Sequence, residues 1–167
     1  MAELTSLEAA VPSLRRYALA LLRDRSDADD LVQDCLLRAL DKIDTRVGEG
    51  DIRPWLFTIM HNLFISRGRR LTRRAAWLVH DNDAEGSVPA PQSSHLEMQD
   101  MLRGLATLPE DQRQVILLVT VEGFSYAEVA RIVGAPIGTV MSRLSRARDR
   151  LNAFIEGRAR PVLRRVK

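Results

Sequence analysis

The chain has 167 residues, enough for one ordinary domain or two small ones. Its hydrophobic fraction of 46% is that of a globular protein, and 5% aromatic residues leave little material for the stacking platforms of β-rich single-strand binders. The formal net charge is only +3, the single cysteine, Cys35, excludes an intramolecular disulfide or a thiolate zinc cluster, and no apolar run has membrane-spanning or signal-peptide length; a reducing cytoplasm is the expected location.

Leu7, Val11, Leu14, Ala18, Leu21 and Leu22 recur at helical spacing, and Ala28, Leu31, Val32, Cys35, Leu36, Ala39 and Ile43 form a second stripe of the same period. Between them Asp24, Asp27, Asp29, Asp30 and Asp34 stand against Arg25 alone, an acidic patch suited to a protein partner. Ser26, three residues before Asp29, reads as a capping box and predicts the start of the second helix. Gly48 to Asp51 break the pattern. A third helix is expected from about Arg53, with Pro54 in its first turn and Trp55, Leu56, Ile59, Leu63 and Ile65 facing inward. Arg67, Arg69, Arg70, Arg73 and Arg74 follow without an acid between them, which fits polyanion contact or a solvated helix face.

From His80 to Ser94 the composition is too polar to offset the cost of ordering it, so residues 79–95 read as a flexible linker between a first unit, 1–78, and a second, 96–167. Leu96, Met98, Met101, Leu102 and Leu105 open the second unit, and Pro109 starts a helix carrying Val115, Ile116, Leu118 and Val119. Nothing alternates with the period of two that strands require, so the expected fold class is all-α, two small helical domains.

Tyr126 to Leu151 fits a helix-turn-helix. Ala130 allows close approach, Gly134 suits a left-handed turn, Val140 packs back, and Val129, Ile132, Val133, Ile137 and Leu144 complete a small core. Thr139, Ser142, Arg143, Arg146 and Arg150 then share the face away from that core, offering hydroxyls and guanidinium forks to a major groove. A basic tail, Arg158 to Lys167, is equally a phosphate contact or a loose end.

Three further stretches carry a family resemblance: Asp27-Ala28-Asp29-Asp30-Leu31-Val32-Gln33-Asp34; Arg53-Pro54-Trp55-Leu56-Phe57-Thr58-Ile59 with Asn62; and Leu108-Pro109-Glu110-Asp111-Gln112-Arg113 followed by Gly123 to Ala130 and Gly138 to Arg148. In this order they resemble the extracytoplasmic-function (ECF, group IV) sigma factors of the sigma-70 family, whose region-two and region-four domains are joined by a linker. The resemblance implies a bacterial transcription-initiation subunit that binds core RNA polymerase and directs promoter recognition and opening, for a stress or envelope-signal regulon, with no catalysis, cofactor or metal.

By the same resemblance Asp30, Gln33, Asp34 and Leu37 would dock on the clamp helices of the polymerase largest subunit, and the flap of the second-largest subunit would be a further contact. The loop Asp44 to Ile52 with Asn62, Ser66, Arg67, Arg69 and Arg70 would meet minus-ten DNA as it melts. Ser125, Tyr126, Thr139, Ser142, Arg143, Arg146 and Arg148 would meet the minus-thirty-five element. An anti-sigma factor is an implied partner. Trp55 lies on the apolar stripe and favours core packing over base stacking, and Asn62 could instead be a local cap. Met141 stands where relatives often carry a basic residue, Ser145 where they carry a larger one and Ser66 where an acid is common, so no relative's promoter sequence transfers.

Two rivals remain from the sequence: a helix-turn-helix regulator that works without polymerase, which leaves the first unit unexplained, and a sigma mimic that captures an anti-sigma factor without initiating. An enzyme lacks support: there is no phosphate-cradling glycine loop, and His61, His80 and His95 have no metal-ligand spacing.

Overall fold

The computed structural model describes residues 2–46, 50–77 and 93–159. The chain runs as α1 (Ala2–Leu22), α2 (Arg25–Lys42), a single 3-10 turn (Ile43–Thr45), α3 (Arg53–Trp77), α4 (Ser93–Ala106), α5 (Glu110–Thr120), α6 (Tyr126–Val133) and α7 (Ile137–Ala159), and is all-α among the described residues. Most of the expected linker lies outside the described residues, as do Gly48 and Glu49 of the loop and the basic tail from Arg160 onward.

The first three helices pack because each turns one apolar stripe inward. Leu14, Ala18 and Leu21 of α1 meet Leu31, Val32 and Cys35 of α2 and Leu56, Phe57 and Met60 of α3, all of them buried. Burial pushes the Cys35 thiol up to about 12, so it stays protonated, and it donates to the Leu56 carbonyl at 3.5 Å. Trp55 sits partly buried against this core, as its place on the stripe implied.

The start of α2 corrects one expectation. The cap is Asp24, not Ser26: Asp24 holds an extended backbone and its carboxylate accepts the Asp27 N–H at 2.8 Å, while Ser26 is already inside the helix. Arg23, at φ +60°, makes the left-handed corner between α1 and α2 and donates its N–H back to the Leu19 carbonyl.

In the second group, α5 is the central helix, with Val115, Ile116, Leu117 and Leu118 buried against α6 and α7. Gly134 caps α6 at φ +63°, ψ +40°, the turn its lack of a Cβ permits, and Val140, Leu144 and Ala147 of α7 are fully or nearly fully buried. Ile137 departs from expectation: it is 50% exposed, because the first residue of α7 emerges beyond the small core that Val129, Ile132, Val140 and Leu144 fill without it.

The two groups are closed on each other, α3 against α6 and α1 against α5. Phe124, in the turn before α6, meets Phe57 edge-on with centroids 5.0 Å apart, and Phe57 meets Tyr17 edge-on at 5.2 Å, so one aromatic stack runs from α1 through α3 into the second group. The Tyr17 hydroxyl is buried without a hydrogen-bond partner beside this stack, and burial first, then the charge of Glu122, keeps it protonated.

The cap assignment has a measurable consequence. Asp24→Ala is expected to lower stability by about 1 kcal/mol and Ser26→Ala by less than about 0.5 kcal/mol, as read from urea unfolding of the full chain; equal losses would return the cap to Ser26.

Candidate polymerase and nucleic-acid interfaces

Along α2 the residues that do not face the core form a continuous outer surface. Asp30, Gln33 and Asp34 are exposed on it, and Leu37 and Leu40 are large apolar side chains left 54% and 46% exposed. Large uncovered apolar side chains at the end of an acidic run are a pattern that favours contact with another protein. Leu40 was not anticipated, since as a single apolar residue it blends into the inner stripe.

Asn62 and Ser66 are exposed on α3, and Ser66 donates its hydroxyl to the Asn62 carbonyl at 2.8 Å. Arg69 and Arg70 are exposed as well. Arg67 is placed differently from its neighbours: it pairs with Asp34 at 2.7 Å and reaches the Asp27 carbonyl at 3.4 Å. The acidic face of α2 and the basic run of α3 therefore touch through this ion pair. In the preceding loop, the Asp51 carboxylate accepts the Arg53 N–H at 2.9 Å, and the Arg46 guanidinium reaches the Gly50 carbonyl.

The helix-turn-helix is locally well specified. Ser125 and Glu128 form a reciprocal capping box: the Glu128 carboxylate accepts both the Ser125 N–H and its hydroxyl at 2.8 Å, and the hydroxyl accepts the Glu128 N–H at 3.3 Å. The Ser125 hydroxyl, expected at the DNA backbone, also caps α6. These hydrogen bonds, backbone first, hold the Glu128 carboxyl below its usual range.

On α7, Arg146 and Arg148 are exposed, Thr139 is half-buried and Ser142 donates to the Thr139 carbonyl at 3.0 Å. Arg143 is held by Asp111 of α5 at 3.0 Å, and Tyr126 packs partly buried against the core. Ile137 and Met141 stand one turn apart on the outer face, both about half exposed.

Arg143 opens into a cleft of about 510 Å³ between the helix groups, with His61 and Ile65 of α3 on one wall and Glu110, Asp111, Gln114 and Val133 on the other. His61 Nδ1 lies 2.5 Å from the Gln114 side-chain oxygen, which fits a neutral ring donating there. Burial, with Arg143 adding to it, lowers the His61 pKa against the opposing pull of the Gln114 hydrogen bond and Glu110.

The strongest polar feature between the groups is Glu122, whose side chain has no exposed surface. Its carboxylate accepts from Arg16 Nε at 3.1 Å and Arg16 Nη2 at 2.9 Å, from Arg53 Nη2 at 3.3 Å, and from the Ser13 hydroxyl. Arg53 also donates to the Glu122 backbone carbonyl at 3.0 Å and lies over the Phe124 ring, 4.9 Å from its centroid. A second arginine ties the groups from the other side: Arg113 donates to the Leu21 carbonyl of α1 at 3.1 Å and to the Leu105 and Leu108 carbonyls of its own group. No cluster of three or more metal-ligating side chains occurs among the described residues.

The helix-turn-helix lies within residues 98–151, which match the Sigma-70, region 4 family, and residues 7–61 match the family described as the Sigma2 domain of PhyR. The ECF RNA polymerase sigma factor EcfG of Rhodopseudomonas palustris (strain TIE-1) is 42% identical over 153 residues, covering 88% of this chain and 81% of that protein. The chain belongs to the ECF sigma factors. The sigma-E factor of Escherichia coli (strain K12), at 30% identity over 83% of this chain and 77% of its own length, agrees.

Among solved structures, the sigma factor RpoE of Bartonella quintana, crystallised with the anti-sigma factor NepR, superposes with a TM-score of 0.83 at 36% identity, covering 91% of this chain and 95% of its own. Agreement at that level across both helix groups means that RpoE bound to NepR holds its halves in an arrangement close to this one. As a sigma factor, the chain binds core RNA polymerase and directs promoter recognition and opening in transcription initiation. That is not an enzyme class.

The capping box of this sigma factor yields a pH signature. Because Glu128 has a lowered folded pKa, its contribution is complete above the ordinary glutamate range and is lost as pH falls through the lowered value. Ser125→Ala is expected to cost about 1 kcal/mol at neutral pH, and this loss should shrink as urea unfolding is repeated at falling pH; a loss independent of pH would detach the cap from the carboxylate.

Proposed function

We propose that the α2 stripe Asp30, Gln33, Asp34 and Leu37, extended by Leu40, is the surface that docks on the clamp helices of the polymerase largest subunit. Asn62, Ser66, Arg69 and Arg70 of α3 meet the minus-ten element as its bases leave the stack, Asn62 through a base edge and the arginines through phosphate. Arg67 joins them once Asp34 is taken up by polymerase. The outer face of α7, with Thr139, Ser142, Arg143, Arg146 and Arg148, reads the minus-thirty-five element, Asp111 fixing the direction of the Arg143 fork. The two units act as separate domains in this scheme, the protein works in the cytoplasm without catalysis of its own, and an anti-sigma factor is its natural antagonist.

The observation that carries this reading is one chain presenting both an acidic, leucine-ended docking stripe and a capped helix-turn-helix with outward arginines. A regulator working without polymerase gives the stripe no purpose. The match of residues 7–61 to the PhyR domain keeps a second reading in view, because PhyR of Bartonella quintana is an anti-anti-sigma factor complexed with NepR.

Run-off transcription with core polymerase separates the two. The wild-type chain is expected to support initiation, Asp30→Ala/Gln33→Ala to lose core affinity, and Arg146→Ala to weaken promoter binding while lowering its salt dependence by about one phosphate contact. Anti-sigma binding without any transcript on any template would favour the mimic.

Ile137 and Met141 add a base preference. Against a major groove their apolar surface matches the thymine C5-methyl group, the one apolar feature a base edge displays there. Replacing thymines of the minus-thirty-five element one at a time by deoxyuridine is expected to cost about fourfold in affinity at one position, the worth of one buried methyl, and to cost nothing there in Met141→Ala. Equal sensitivity in both proteins would remove Met141 from readout.

A further inference from the structure

Glu122 and Phe124 belong to the second helix group, but the hydroxyl and guanidinium groups on the Glu122 carboxylate and the ring and guanidinium against Phe124 belong to the first. A carboxylate with no exposed surface is costly unless it is paired and hydrogen-bonded. Here it receives two guanidinium groups and a hydroxyl, all from α1 and the start of α3. Two residues on, Phe124 fills the space between the Arg53 guanidinium and the Phe57 ring. Together Ser13, Arg16, Arg53 and Phe57 make a receptor for an acid-x-aromatic segment, and its occupant is Glu122-Gly123-Phe124 of the same chain.

We propose that this contact is an intramolecular latch: seating Glu122-Gly123-Phe124 in the α1–α3 receptor holds the free sigma factor closed, and promoter engagement requires its release. The proposal rests on the assignment of α3 and α7 to the two promoter elements. Those elements lie about 25 base pairs apart, roughly 85 Å along a duplex at about 3.4 Å per base pair. A compact chain of this length is only roughly 40 Å across. The closed form therefore cannot contact both elements at once, and it also turns Arg143 into the cleft against His61 and Ile65. Asp30, Gln33, Asp34 and Leu37 remain exposed in the closed form. Closure thus gates promoter engagement and leaves the first contact with polymerase open.

The test approaches the latch from both sides. Glu122→Gln removes the charge from the second group, and Ser13→Asp places a like charge in the receptor on a partly exposed face of α1. Small-angle scattering of the full chain is expected to show a compact wild type and an increased radius of gyration in both variants, each with wild-type helicity by circular dichroism.

At limiting protein, run-off transcription from a promoter with both elements should rise about fivefold or more in the variants, since the competent fraction is no longer reduced by closure. Affinity for core polymerase through α2 should stay within about twofold.

Two helical, folded variants that scatter like the wild type would overturn the latch, and so would variants that expand without any gain in transcription. If Glu122→Gln loses helicity, the Ser13→Asp result alone decides between these outcomes. Transcription by the wild type that needs the chain, alongside unchanged variants, would refute the latch while leaving the sigma function intact; no transcription by any form would instead refute the function.

Discussion

A carboxylate withdrawn wholly from water must have its charge answered at close range, and in this protein that requirement falls on Glu122. The groups that answer it come from α1 and α3, so one acidic side chain ties the two helix groups together. The aromatic stack from Tyr17 through Phe57 to Phe124 supplies the apolar half of the same junction. Arg113, spanning from α5 to the last turn of α1, closes its far side.

The surfaces proposed to act on polymerase and promoter DNA are arranged around this junction in an unequal way. The α2 stripe points away from it and is uncovered. The α3 and α7 surfaces border it, with Arg143 and His61 sharing one cleft. Charges that would serve DNA are meanwhile held within the protein: Arg67 by Asp34 and Arg143 by Asp111. Exposed pairs of this kind are individually weak, so they orient the side chains and yield to a stronger polyanion. Two of the basic side chains are thereby held in place by acids of the same chain, while Arg69, Arg70, Arg146 and Arg148 stand exposed.

Much of this was legible in the sequence, for a physical reason. Helix periodicity and the glycine of the α6–α7 turn are local properties, and Leu14, Leu31, Leu56, Val129, Val140 and Leu144 went to the core where their spacing put them. The α2 cap was misread because Asp24 and Ser26 are both capable caps two residues apart, and only the backbone conformation decides between them. Ile137 was assigned inward with the other apolar residues of the helix-turn-helix, whereas as the first residue of α7 it stands half exposed. Ser125 was legible as a polar residue at the start of α6, but its reciprocal cap with Glu128 was not anticipated. The Glu122 junction was not legible at all. Its partners lie 69 to 109 residues away, and a lone acid beside a glycine reads as an ordinary loop residue.

The shared junction also bears on how such proteins can be recombined. A hybrid that takes α1 to α3 from one relative and α4 to α7 from another inherits the apolar packing within each half. Yet unless Ser13, Arg16 and Arg53 travel with a compatible Glu122, the hybrid buries an acid without its bases or bases without their acid. The interchangeable unit in this fold is therefore larger than either half.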